Sequence, residues 1–190
     1  EFRRVLFRST NPQDYADAAG HAPGRVRLVP LANQVTDCPP AGYDRAAFRE
    51  HHGLAGRFVV VHFGMINHSK GAGALVRAAA TLRAGGLPVH LAFVGEAAGS
   101  SDPTNHAAIG GLQQQIAEHG LAAAVTFTGH LPEPEVSAWL AAADAAALPF
   151  TDGASFRRTS LLAALAHGVP VITTEPQPAP PVDSLPTLGH

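Results

Sequence analysis

The stretch Phe58-Val-Val-Val-His-Phe-Gly-Met-Ile-Asn-His-Ser-Lys-Gly71 decides how this chain is read. Its first six residues are a nearly continuous apolar, β-branched run of strand length, as expected of a central parallel strand covered on both faces. Gly64–Ser69 is the loop that leaves the strand. Lys70-Gly71 then opens a helix pattern with Leu75, Ala78, Ala79 and Leu82 on one face, closed by Gly85-Gly86. A lysine at the start of a helix that follows a glycine loop can reach a phosphate, because the free N–H groups there already favour negative charge. The other reading of Lys70 is a solvated surface lysine. The loop is not a Walker A loop, since Ser69 stands where a glycine should precede the lysine and Gly71 where Ser or Thr should follow. Gly71-Ala-Gly73 is not a dinucleotide fingerprint either, as the third glycine is absent.

Downstream the unit repeats. Val89–Val94 reads as a second strand, Gly95–Asn105 as a polar loop, and His106–His119 as a helix with Ile109, Leu112 and Ile116 inward. Val125–Thr128 is a third strand, leading through Gly129-His-Leu-Pro132 to a helix. There Glu133 and Glu135 suit the positive end of the dipole, and Val136, Trp139, Leu140 and Ala143 form the buried stripe. Ala145–Leu148 is the fourth strand and Val171–Thr173 the fifth. Between them, Thr151–Thr174 carries a helix expected to begin at Ser155 as N-cap and to stop at Gly168. Arg157 and Arg158 oppose the dipole of such a helix, each by a few tenths to about 1 kcal/mol. A bound phosphate or carboxylate would reverse that penalty, and solvated surface arginines are the alternative. Strands alternating with amphipathic helices predict an α/β fold, a Rossmann-like parallel sheet with helices on both faces and right-handed crossovers. Ligands of such sheets bind outside the carboxyl ends of the strands, here the loops Gly64–Ser69, Gly95–Asn105, Gly129–Pro132 and Phe150–Ser155.

The flanks are different in character. Residues 1–9 carry three arginines beside an alanine-rich body and read as a non-native lead-in outside the fold. Residues 10–56 are the interdomain segment and approach to the domain, with a turn or cap at Thr10–Asp14, a short strand at Arg25–Leu31, a Pro/Gly-rich loop and a helix over Asp44–His52. Residues 57–175 are the main, Rossmann-like domain, and 176–190 a Pro-rich loop in which the sheet is cut short. With 190 residues, 46% hydrophobic and 15% charged, one globular domain is expected. A net charge of −2 gives no overall field toward nucleic acid or anionic membrane. No apolar run approaches the roughly 18 residues of a membrane span, so at most peripheral membrane contact is expected. The lone Cys38 excludes an internal disulfide and fits a cytoplasmic location. The eleven histidines show no metal-ligand spacing, and no metal is expected.

Taken together, these residues resemble the C-terminal, donor-binding half of a GT-B glycosyltransferase, most like glycosyltransferase family 4. The likeness runs from about Thr10 to Thr174. Phe63–Gly71 looks like the family's glycine-loop-lysine-glycine opening, Leu91–Gly95 like its second strand and Val125–Gly129 like its third. Leu162–Val171 looks like the helix and turn after its paired-glutamate motif. The resemblance implies a nucleoside diphosphate sugar as donor substrate, no cofactor, and a separate N-terminal acceptor domain facing the cleft. It implies donor contacts from Gly64, Lys70, Gly95, His130, Leu131, Phe156, Arg157 and Arg158, with His130 and Leu131 near the base. Met65 stands where the family commonly has an arginine, and Ser155 and Ala163 where it has two glutamates. The candidate catalytic residues are therefore Ser155 and, three residues away, Asp152. The expected function is transfer of a hexose from that donor to an unknown acceptor, without turnover by this stretch alone. The alternatives are a catalytically degenerate nucleotide-sugar-binding or scaffold protein and another nucleotide-sugar enzyme such as an epimerase.

Overall fold

In the computed structural model, which describes residues 7–10, 12–29, 31–96 and 103–176, alternating elements follow one another along the chain. They are β1 (Phe7–Ser9), α1 (Pro12–His21), β2 (Val26–Leu28), α2 (Arg45–His51), β3 (Phe58–Phe63), α3 (Ala72–Ala84), β4 (Val89–Val94) and α4 (Pro103–Glu118). After these come β5 (Val125–Phe127), α5 (Glu133–Ala142), β6 (Ala145–Leu148), α6 (Thr159–Ala166) and β7 (Val171–Thr173). The expectations for residues 1–6, for the loop at 97–102 and for the Pro-rich stretch from 177 onward lie outside the described residues.

Five strands form one all-parallel sheet in the order β5-β4-β3-β6-β7. The chain works outward from β3 through β4 to β5, then returns to the other side of β3 for β6 and β7. The loops after β3 and β6 therefore part in opposite directions and leave a crevice at the carboxyl ends of those strands. Alternation along β3 sorts its side chains between two cores. Val59 and Val61 pack with Trp139 and Leu140 of α5 and Leu161 and Ala164 of α6, whereas Val60 packs with Val76 and Ala79 of α3 and Leu112 and Ile116 of α4. Helices thus cover both faces, as the strand-helix alternation predicts, and the fold is a Rossmann-like parallel sheet. At the opposite end of the sheet, α2 is N-capped by Asp44, whose Oδ1 accepts the Ala47 N–H at 2.7 Å. Its Phe48 meets Trp139 edge-on at 5.3 Å.

Four local expectations are corrected. Residues 7–9 are not outside the fold: β1 pairs in parallel with β2 in a separate two-stranded sheet. The helix expected from His106 begins at Pro103, which is suited to the first turn because its missing N–H would have no intrahelical partner there. The helix expected from Lys70-Gly71 begins at Ala72. His68–Lys70 is a 3-10 turn, and Gly71 (φ 66°) adopts the left-handed conformation against the carbonyl of Pro149, which separates the turn from the helix. Finally, Ser155 is not the N-cap of α6. The Ser155 carbonyl accepts the Arg158 N–H at 3.0 Å in a turn, and Arg158 itself is the extended cap residue whose carbonyl takes the first helical bonds. The two arginines therefore precede the helix instead of lying in its first turn.

Candidate functional site

Backbone geometry at the carboxyl ends of the strands brings three of the expected loops together. The Gly64 N–H donates to the Val94 carbonyl at 2.9 Å. The Gly95 N–H donates to Thr128 Oγ1 at 3.2 Å, and Gly95 forms an antiparallel bridge with Gly129. A Cβ added at Gly95 (φ 112°) would stand 3.6 Å from the backbone of Gly64, in ordinary contact. The demand for glycine at Gly64 and Gly95 comes from their positive φ angles, which L side chains rarely adopt. The fourth loop closes on the first where the Thr151 N–H donates to the Ser69 carbonyl at 3.0 Å.

Over this seam stand two cations. Lys70 Nζ lies 5.0 Å from the centre of the Phe150 ring and the Arg158 guanidinium 4.7 Å from the same centre. Phe150 is buried, so its ring is a fixed platform whose negative face attracts both charges. Lys70 Nζ also donates to Ser160 Oγ at 3.3 Å, and Arg158 forms an ion pair with the exposed carboxylate of Asp152. Burial, and then the charge of Arg158, push the Lys70 ammonium below its ordinary range, while Asp152 opposes them. Beneath the loop, His62 is buried and its ring lies 5.5 Å from that of Phe93. No group of the described residues meets either ring nitrogen in hydrogen-bond geometry. Burial, reinforced by the Lys70 charge, lowers His62 to about 4 and keeps it neutral.

The sequence-predicted residues thus divide. Gly64, Lys70, Asp152 and Arg158 meet at the switch point between β3 and β6, and Gly95 adjoins them. Arg157 turns away, with Nη1 3.3 Å from Asp14 of α1. Ser155 is half-buried in the turn before α6, and Phe156 is 57% exposed. His130 is exposed, while Leu131 packs against the core beneath α5 and α6. Ala163 is wholly buried in that core. Sequence reasoning missed Phe150 and Ser160. Phe150 was legible only as an aromatic two residues after a strand, and Ser160 only as a hydroxyl within a helix; neither pattern announces a lysine eighty residues or more away. Among the described residues, no cluster of three or more His, Cys, Asp or Glu is placed to hold a metal ion, and no helix is long and apolar enough to cross a membrane.

This arrangement can receive an anion: two cations on one aromatic platform face the first turn of α6, whose leading N–H groups have no intrahelical acceptor. The chain is 32% identical over 152 residues to a D-inositol 3-phosphate glycosyltransferase of Pseudarthrobacter chlorophenolicus, covering 73% of this chain and 33% of that protein. Its fold is similar to that of Anabaena Alr3699/HepE in complex with UDP and glucose, with a TM-score of 0.71 and 25% identity, covering 89% of this chain and 44% of that one. It is also similar in fold to sucrose-phosphate synthase from Thermosynechococcus elongatus, with a TM-score of 0.66 and 24% identity, covering 87% and 39% of the two chains. The chain thus spans a third of the curated relative and under half of these solved structures. Residues 57–183 match the family described as glycosyl transferases group 1. With that match over most of its length and the parallel sheet of its structural neighbours, the chain belongs to the group 1 glycosyltransferases.

Proposed function

We propose that the crevice between β3 and β6 binds the diphosphate of a nucleoside diphosphate sugar and that the protein transfers the sugar to an acceptor. The observation that carries this reading is the convergence of Lys70 and Arg158 on Phe150 at the switch point. Lys70 and Arg158 hold the phosphates and stabilise the charge of the departing diphosphate, so that no metal or cofactor is required. Gly64 and Gly95 let the backbone approach the donor, the His130–Leu131 loop lies toward the base, and Phe156 borders the sugar. Arg157 reaches phosphate only after leaving Asp14. Asp152 is the carboxylate beside the sugar and Ser155 a hydroxyl next to it. An acceptor-binding part outside these residues completes the cleft, and a cytoplasmic location fits the exposed, free Cys38. The similarity to a fold determined with UDP and glucose supports the ligand class.

A second reading, donor binding without transfer, is favoured by Ser155 and Ala163. A serine carries no charge, and the Ala163 position has no exposure through which a side chain could reach a ribose. Calorimetric titration of the protein with UDP, GDP and ADP, followed by an assay for release of sugar from the matching nucleotide sugar, separates the two. Lys70→Ala and Arg158→Ala should each weaken diphosphate binding about tenfold or more, since each removes a charge-assisted contact. Wild-type affinity in both variants would remove these residues from the site. On protein that includes the acceptor-binding part, binding with turnover supports transfer and binding without turnover supports the degenerate reading, and binding of none of the three nucleotides overturns both.

A further inference from the structure

The Ser160 hydroxyl is a polar group at the switch point to which donor binding assigns no role. Ser160 lies in the first turn of α6, is 3% exposed, and accepts a hydrogen bond from Lys70 Nζ at 3.3 Å. The position a Cβ would take at Gly64 is 3.6 Å from Lys70 Nζ and 3.8 Å from Ser160 Cβ, so the Gly64 backbone lies beside both groups. Three elements therefore close around one ammonium: the loop after β3 through Gly64, the end of β6 through the Phe150 ring, and α6 through Ser160.

We infer that Ser160 is the positioning residue of the donor site, its oxygen holding the Lys70 ammonium over Phe150 and facing the crevice before the donor arrives. The inference rests on the reading of Lys70 as a donor contact. The physical need is clear from the neighbours. A lysine stem is flexible, and its charged end is drawn toward water. The charged and titratable groups facing Lys70 are Arg158 and Asp152 from the loop after β6 and His62 from β3. Arg158 repels it, Asp152 is engaged with Arg158, and His62 is neutral. Beyond the face of Phe150, the Ser160 oxygen is the close acceptor that offsets this repulsion. Phe150 attracts both cations, but a ring face does not fix where along it each one stands. A hydrogen bond from a stated atom does.

Lys70 is the only lysine in the chain, so protein carrying carbon-13 at the lysine Cε gives a single side-chain resonance to titrate. A hydrogen bond accepted from the ammonium favours its charged form. In the ligand-free protein, Ser160→Ala should lower the midpoint of that titration by roughly half to one pH unit, the equivalent of one lost hydrogen bond. Ser160→Thr, which keeps the hydroxyl, should restore most of it. In parallel, Ser160→Ala should weaken UDP binding by about threefold to tenfold, with recovery in Ser160→Thr. An unmoved Lys70 titration in Ser160→Ala overturns the inference, whatever UDP does. Failure of the wild-type protein to bind UDP overturns the reading of Lys70 as a UDP contact, and the ligand-free titration still decides whether Ser160 holds the lysine.

Discussion

At Gly71 the backbone is in the left-handed region, and a Cβ there would stand 2.2 Å from the carbonyl oxygen of Pro149. Two penalties coincide, conformational strain and collision with main chain that cannot swing aside. Gly71→Ala should therefore destabilise the protein by about 2 kcal/mol or more. Urea denaturation measures this, and a loss under about 0.5 kcal/mol would mean that the loop yields easily. The same close approach presses the loop carrying Lys70 against the end of β6 and hence against Phe150. The glycine in the Lys70-Gly71 pair was legible as part of a helix start. Its contact with Pro149, and the break it makes between the 3-10 turn and α3, depend on a residue 78 positions away.

Among the elements, α5 and α6 do more than cover the sheet, because they anchor the segment leading into the domain. Ser137 of α5 is wholly buried, accepts the Cys38 N–H at 2.9 Å and lies 2.8 Å from His167 Nε2. His167 Nδ1 lies 2.7 Å from the Ala163 carbonyl, so Nδ1 carries the proton and Nε2 accepts from the Ser137 hydroxyl. Thr36 adds hydrogen bonds from its N–H and hydroxyl to Glu133 at 2.9 and 2.8 Å. Ser137→Ala leaves both the Cys38 amide and His167 Nε2 without this partner, which should cost about 1–3 kcal/mol. Faster hydrogen exchange at the Cys38 amide, with the exchange of β3 changed far less, is the expected outcome; unchanged exchange at Cys38 would show that Ser137 does not hold the segment. Helices were legible wherever apolar spacing was strong, as in α3. The start of α6 was not, because Arg158 is drawn back to Asp152 and Phe150, and that pull decides where the helix begins.

On the scale of the whole molecule, two buried histidines tie stability to pH. Burial pushes His62 and His90 down to about 4, with the Lys70 charge adding to the effect at His62 and the charges of Arg57 and Arg83 at His90. A histidine in the unfolded chain titrates near 6.5, so between about pH 6.5 and 4 the unfolded state binds protons that the native state does not. Stability is then fully present above about pH 6.5 and falls as pH drops toward 4, by up to about 1.4 kcal/mol per pH unit for each group. Urea denaturation at pH 7, 6 and 5 should show the decline, and His62→Leu should reduce its slope by about one proton. A slope unchanged in that variant would mean that His62 takes up its proton in the native state. Asp144 acts lower on the scale. Burial raises its carboxyl, but hydrogen bonds from Arg49, the Val59 N–H and Arg45 outweigh that and hold it low. Its stabilisation is present above about pH 4 and is lost as acid protonates it. What the sequence by itself determined was the succession of strands and helices, because burial on one or two faces writes its period into neighbouring residues. It also placed Lys70 beside a glycine loop, whereas Arg158, expected inside the first turn of α6, stands ahead of it only in the tertiary structure. Only the tertiary structure decided that β6 lies beside β3. That adjacency sets Lys70, Phe150, Arg158 and Ser160 on one another and leaves Arg157 with Asp14, because such contacts join residues whose separation along the chain carries no periodic signal.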